Sequence, residues 1–189
     1  MRFPRDFHRT AFDRAINQLR DGRPGESGYG RRVALVLTIP TFEDPVARDV
    51  RQNASGEFYV VRTVWRRAFD APSQAAPPAR TMRSALSFSP LNPDPFGDRA
   101  PTLVSSRLPI DTSALASLLT TIGCASIACH PQHADASVES MVYEVTFGTG
   151  LTETRYRWAA DAPPGWEPLG EFAIGLIRLV DHPASVVSQ

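Results

Sequence analysis

The segment Val33-Ala-Leu-Val-Leu-Thr-Ile39 constrains the fold more than any other part of the chain. A strand with one wet face alternates apolar and polar residues. This run does not alternate and is rich in branched side chains, so it predicts a strand covered on both faces and placed centrally in a sheet. Pro40 ends it at once, far short of the roughly 18 to 20 apolar residues that a bilayer crossing needs. No other stretch is longer, which speaks against a membrane span.

Further strands follow from composition and period. Phe58 to Arg66 is dense in β-formers, and Thr102 to Leu108, closed by Pro109, reads as an edge strand. Met141 to Phe147 alternates, with Met141, Tyr143, Val145 and Phe147 on one face and Val142, Glu144 and Thr146 on the other. Gly148-Thr149-Gly150 can reverse the chain so that Leu151 to Trp158 runs back as a hairpin. Residues 40 to 56 hold two prolines and mixed charge, and read as a loop.

Three segments carry helical spacing. Residues 5 to 20 place Phe12, Ala15, Ile16 and Leu19 on one stripe before Gly22 and Pro24 stop the helix. Asp111 is a good N-cap for a helix to Ile122, with Leu115, Leu118, Leu119 and Ile122 inward and Gly123 as its left-handed stop. The closing helix, about Trp166 to Val180, turns Trp166, Leu169, Phe172, Ala173, Leu176, Ile177 and Val180 toward the hairpin. Read in order, these elements predict an α+β fold: an antiparallel or mixed sheet of about five strands with two or three helices packed on one face.

At 189 residues, 42% of them hydrophobic and 21% charged, the chain has the makings of one globular domain, residues 1 to 189. Within it, residues 71 to 101 are rich in proline yet carry Met82, Leu86, Phe88, Leu91 and Phe96, which implies an ordered arm laid over the core with a short strand near Ala85 to Ser89. Charges recur every few residues through Arg20, unlike a secretory leader, so the expected location is cytoplasmic.

All 20 basic residues are Arg and none is Lys, a bias expected either of a GC-rich bacterial genome or of selection against modifiable amines. It also removes Walker-type phosphate loops and Schiff-base chemistry as self-contained activities. Residues 1 to 110 hold 17 Arg against 8 Asp and 3 Glu, whereas residues 111 to 189 hold 3 Arg against 4 Asp and 5 Glu. Opposite halves of this kind either pack on one another or steer toward an oppositely charged partner.

Candidate chemistry is sparse. Cys124, Cys129, His130 and His133 are the right atoms for tetrahedral zinc, but their spacing is not that of a zinc knuckle, and adjacent Cys129 and His130 converge poorly on one ion. Two buried thiols and a polar loop are the expected alternative, so neither a metal nor another cofactor is assigned. The loop from Ala159 to Trp166 acts as a ligand lid only if Trp166 is exposed. A tryptophan at the start of an amphipathic helix more often anchors it to the core. No Gly-x-Ser-x-Gly elbow, HExxH or paired CxxC is present.

The arginines on strands are the best candidates for contact. Period-two geometry sets Arg62 and Arg66 opposite Tyr59, Val61, Thr63 and Trp65, and Arg155 and Arg157 opposite Tyr156 and Trp158. In one sheet these four guanidiniums would share a solvent face able to grip oxyanions, unless Glu144 and Glu153 neutralise them across strands. Aromatics assigned to the core are withheld from base stacking, which argues against nucleic acid. The expectation is therefore a non-enzymatic accessory or inhibitor-like module that binds an acidic protein partner through Arg62, Arg66, Arg155 and Arg157. Homo-oligomerisation is compatible with it. The alternative is a small-ligand protein or enzyme with a pocket under the 71–101 arm.

Overall fold

The computed structural model describes residues 5–21, 30–41, 43–66, 101–129, 141–148 and 152–182. Six strands, β1 (Arg31–Ile39), β2 (Val46–Gln52), β3 (Phe58–Trp65), β4 (Leu103–Leu108), β5 (Val142–Phe147) and β6 (Thr154–Ala159), form one sheet in the order β4-β3-β2-β1-β5-β6. Every pairing is antiparallel. Helices α1 (Arg5–Asp21), α2 (Thr112–Cys124) and α3 (Glu167–Asp181) pack on it, so the α+β class holds. Strand β1 is central, and its non-alternating run is buried from Ala34 to Ile39 because both faces are covered.

Residue parity divides that cover. Leu35, Leu37 and Ile39 meet Ala15, Ile16 and Leu19 of α1 together with Ala47 and Trp65. Ala34 and Val36 meet Leu115 and Ile122 of α2 and Leu169, Phe172, Ala173 and Leu176 of α3. Helices α2 and α3 thus share one face, as expected of the second half, while α1 occupies the opposite face. Burying stripes of this kind contributes about 25 cal/mol per Å² of apolar surface removed from water.

Strand β2 corrects the sequence reading, which made residues 40 to 56 a loop. Its Val-Ala-Arg-Asp-Val-Arg-Gln carries three charges in seven residues and lacks a clean period, yet Arg48 and Asp49 are only 4% and 5% exposed. The ladder tolerates them because each is neutralised in place by partners elsewhere in the chain, described below.

The end of α2 is a second correction. Its start is as expected, since Asp111 Oδ1 accepts from the amides of Ser113 and Ala114 at 2.9 and 3.1 Å. Gly123 does not stop it. The helix continues through Cys124, and Ala125, in extended conformation, donates its N–H back to Ile122 O at 3.2 Å. At the hairpin, Gly148 has φ +91°, and a Cβ there would lie 2.5 Å from Thr152 O, so only glycine fits the turn.

Trp166 settles the question of a lid. It is buried, its indole N–H donates to Ala128 O at 2.8 Å, and its ring meets Tyr156 and Trp158 edge-on at 5.3 and 6.2 Å. It anchors α3 on the hairpin, and Phe172 against Phe147 extends that anchor. Among the described residues no helix is long and apolar enough to cross a membrane. Residues 71–100 of the arm, with its expected strand and any pocket beneath it, lie outside the described residues.

Candidate functional site

The charged residues of the sheet are organised around three carboxylates, each held by two arginines. On the α1 face, Asp49 takes both oxygens to Arg32 at 3.0 Å and also accepts from Arg51 Nε and Nη2 at 2.8 and 2.6 Å. A β-bulge between Arg32 and Ala34 shifts the register and brings Arg32 to the side of Asp49. On the same face Glu144, fully buried, receives Arg20 of α1 through Nε and Nη2 at 2.7 and 2.6 Å, with Arg155 Nε 3.5 Å away. On the α2–α3 face, Asp181 at the end of α3 accepts from Arg62 Nε at 3.0 Å and from Arg48, which also donates to Thr38 Oγ1 at 3.2 Å.

Planar guanidinium forks suit these two-oxygen contacts in a way an ammonium does not. Burial pushes the Asp181 carboxyl pKa up, but the hydrogen bond and charge of Arg48, followed by those of Arg62, outweigh it and leave the group below the ordinary carboxylate value. Arg155 is held above its ordinary pKa mainly by its 2.8 Å hydrogen bond to Glu153. Asp181 is thereby held ionised, which suits a structural clamp better than proton transfer near neutral pH.

The four arginines expected on one face are split by the register. Arg62 aligns with Arg48, Val36, Val145 and Tyr156 across the sheet, whereas Arg155 aligns with Thr146, Leu35, Asp49 and Val61. Arg62 therefore faces α3, and Arg155 and Arg157 face the α1 side. Arg66 lies just past the end of β3 and pairs with Asp44 at 3.4 Å. The faces within each strand were legible, but the relative phase of two strands separated by β2, β1 and β5 was not. Glu144 pairs with Arg155 across strands at 3.5 Å, as the alternative anticipated, whereas Glu153 pairs with it from two residues earlier in the chain and not across strands.

That leaves Arg155 and Arg157 together on β6, an outer strand of the sheet, with Arg157 exposed and forming no ion pair among the described residues. No family model, curated protein or solved structure matches this chain.

The hydrogen-bond phase of the hairpin adds the decisive detail. Ala160 donates its N–H to Met141 O at 2.9 Å, and with the β5–β6 register this makes Trp158, Tyr156 and Thr154 the residues bonded to β5. Successive residues of an edge strand bond alternately inward and outward. The main-chain N–H and C=O groups of Arg155, Arg157 and Ala159 consequently point away from the sheet. The arginines whose side chains lie on the α1 face are the same residues whose backbone is left unpaired among the described residues.

The thiols are corrected as well. Cys124 and Cys129 are both exposed, not buried. Helix α2 turns Leu115 and Ile122 inward, which carries Cys124, two residues on, to the outer side, and the following segment packs Ala125, Ile127 and Ala128 against the core instead. His130 and His133 lie outside the described residues. Among the described residues no three His, Cys, Asp or Glu side chains converge as a metal site.

The buried carboxylate was the feature that sequence reasoning missed. Glu144 sits between Val142 and Thr146 on one face of β5, and two such neighbours were the available hint that this face is covered.

Proposed function

We propose that this chain is a non-enzymatic binding module that docks an extended acidic segment of a partner protein along the outer edge of β6. The observation that supports the reading most directly is the coincidence, at Arg155 and Arg157, of outward main-chain groups with guanidiniums on one face. Strand addition draws its affinity from the main chain and its specificity from alternate side chains. An incoming strand with acidic residues at every second position would set them against this pair.

The charge polarity of the sequence fits the same picture. Arg20, Arg48 and Arg62 of the basic half are consumed by Glu144 and Asp181 of the acidic half, so much of the polarity is spent inside the fold. Arg157 is left over at the edge.

The test uses a synthetic peptide with glutamate alternating with valine, titrated into the full chain by fluorescence anisotropy at low and high salt. Arg157→Glu is expected to weaken binding by at least about tenfold, in line with roughly 1.4 kcal/mol for reversing one contact charge. Ala159→Pro removes one outward donor and neither arginine, and is expected to weaken binding as well while leaving the melting temperature in place. Binding that survives both substitutions, or that is indifferent to salt, would contradict the proposal. Edge-to-edge association of the protein with itself, seen by light scattering and lost in Ala159→Pro, would replace the acidic partner with a second copy.

A further inference from the structure

A separate cavity of about 480 Å³ lies at the opposite end of the sheet, where β3 meets β4 and the start of α2. Tyr59 is among the residues that line it. This ring is 4% exposed, and its phenol oxygen accepts from the Gly30 amide at 2.8 Å, so the ring is fixed. Gly30 must be glycine for that contact, because a Cβ there would fall 1.9 Å from Gln52 O. Arg107 lies flat over the ring with its guanidinium carbon 3.8 Å from the centroid. Such stacking orients the cation by its face and leaves the donors on its rim directed sideways. Among the described residues Arg107 has no carboxylate partner.

Glu57 lines the same cavity. Its Oε2 accepts from Asn53 Nδ2 at 2.8 Å and Ser55 Oγ at 3.2 Å, while Oε1 has no hydrogen-bond partner among the described residues. The hydrogen bonds from Asn53 and then Ser55, with a smaller contribution from the Arg107 charge, keep its carboxyl below the ordinary range. Glu57 and Arg107 thus feel one another's charge without pairing. Phe58, Leu108 and Pro109 supply an apolar wall to the cavity, Phe58 and Leu108 from the side of the sheet that packs α2 and α3.

We infer that this cavity binds a small zwitterion with an apolar side chain, of the free amino-acid class. The carboxylate would be held by the rim of Arg107, the ammonium by Glu57 Oε1, and the side chain by the apolar wall. A fixed cation and a fixed anion that face one cavity without touching are complementary to a ligand carrying both charges on neighbouring atoms. A simple anion or a simple amine satisfies only one of them and forgoes the charge-assisted contact with the other, which costs affinity. This site is independent of the β6 edge, so either proposal can fail without the other.

Isothermal titration calorimetry of the full chain with L-leucine tests it, alongside 4-methylpentanoate, which lacks the ammonium, 3-methylbutylamine, which lacks the carboxylate, and glycine, which lacks the side chain. Leucine is expected to bind, and each of the three analogues to bind at least about tenfold more weakly. Glu57→Gln and Arg107→Gln, both at exposed positions, should each cost about tenfold for leucine with the thermal melt unchanged. Absence of heat with leucine up to its solubility limit overturns the inference. So does equal binding of the amine or the acid, or wild-type affinity in either variant.

Discussion

Replacing Glu144 by glutamine removes the most deeply buried ion-paired carboxylate among the described residues. The Glu144 side chain is 0% exposed, and its partners Arg20 and Arg155 are 16% and 42% exposed. Removing one member of a buried pair typically costs about 3 to 5 kcal/mol, because the remaining charge is left desolvated. Here the orphaned cations are near the surface and Arg20 can swing toward water, which places Glu144→Gln at the lower end, about 3 kcal/mol. For a chain of this size that corresponds to a drop of about 6 to 12 °C in melting temperature. Arg20→Ala should cost more than Glu144→Gln, since the carboxylate it strands cannot reach solvent and has only Arg155, 3.5 Å away, to turn to. The double variant Glu144→Leu with Arg20→Leu should recover most of the loss, because an apolar pair of similar volume avoids both desolvation terms. Urea unfolding of the four proteins, followed by tryptophan fluorescence, measures all three differences. Wild-type stability in Glu144→Gln, or a double variant less stable than either single one, would refute the reasoning.

Among the described residues the buried Thr146 Oγ1 has no hydrogen-bond partner, so Thr146→Val should be neutral or stabilising by up to about 1 kcal/mol in the same assay, and clear destabilisation would reveal a partner for that hydroxyl. Asp181 has its folded pKa below the ordinary 3.8, so its contribution to stability is complete above that value and is lost as the pH falls through the folded pKa. The gap in melting temperature between wild type and Asp181→Asn should therefore be constant near neutrality and close on strong acidification; a gap independent of pH throughout would contradict the Arg48–Asp181–Arg62 clamp. Asp111→Ala removes the cap of α2 and should cost about 1 kcal/mol, whereas Asp111→Asn should retain most of it.

How much of this was legible in the sequence depended on whether the signal was local. The non-alternating Val33–Ile39 run, the hydrophobic stripes of all three helices, the Asp111 cap and the turn at Gly148 depend on neighbours a few residues away, and each emerged as read. Strand β2 did not, because its charges look solvated until Asp181 and Arg32 are brought to them from 133 and 17 residues away. The same limit hid Glu144, whose neutralising Arg20 lies 124 residues earlier. For the candidate site, the face of each arginine within its own strand was readable from parity. Whether Arg62 and Arg155 shared a side depended on strand order and register, which no local pattern encodes. The openness of the β6 edge likewise depended on the sheet order and on the single hydrogen bond from Ala160 that sets the phase.

Amide hydrogen exchange at β6 tests the proposed role most directly. In the free protein Tyr156 and Trp158, bonded to β5, should exchange slowly, while Arg155, Arg157 and Ala159 exchange fast because their N–H groups point outward. Addition of the alternating glutamate–valine peptide should slow those three amides by at least about tenfold, the expected signature of new inter-strand hydrogen bonds. Unchanged exchange at Arg155, Arg157 and Ala159 under saturating peptide, or protection of them already in the free protein, would contradict docking at this edge.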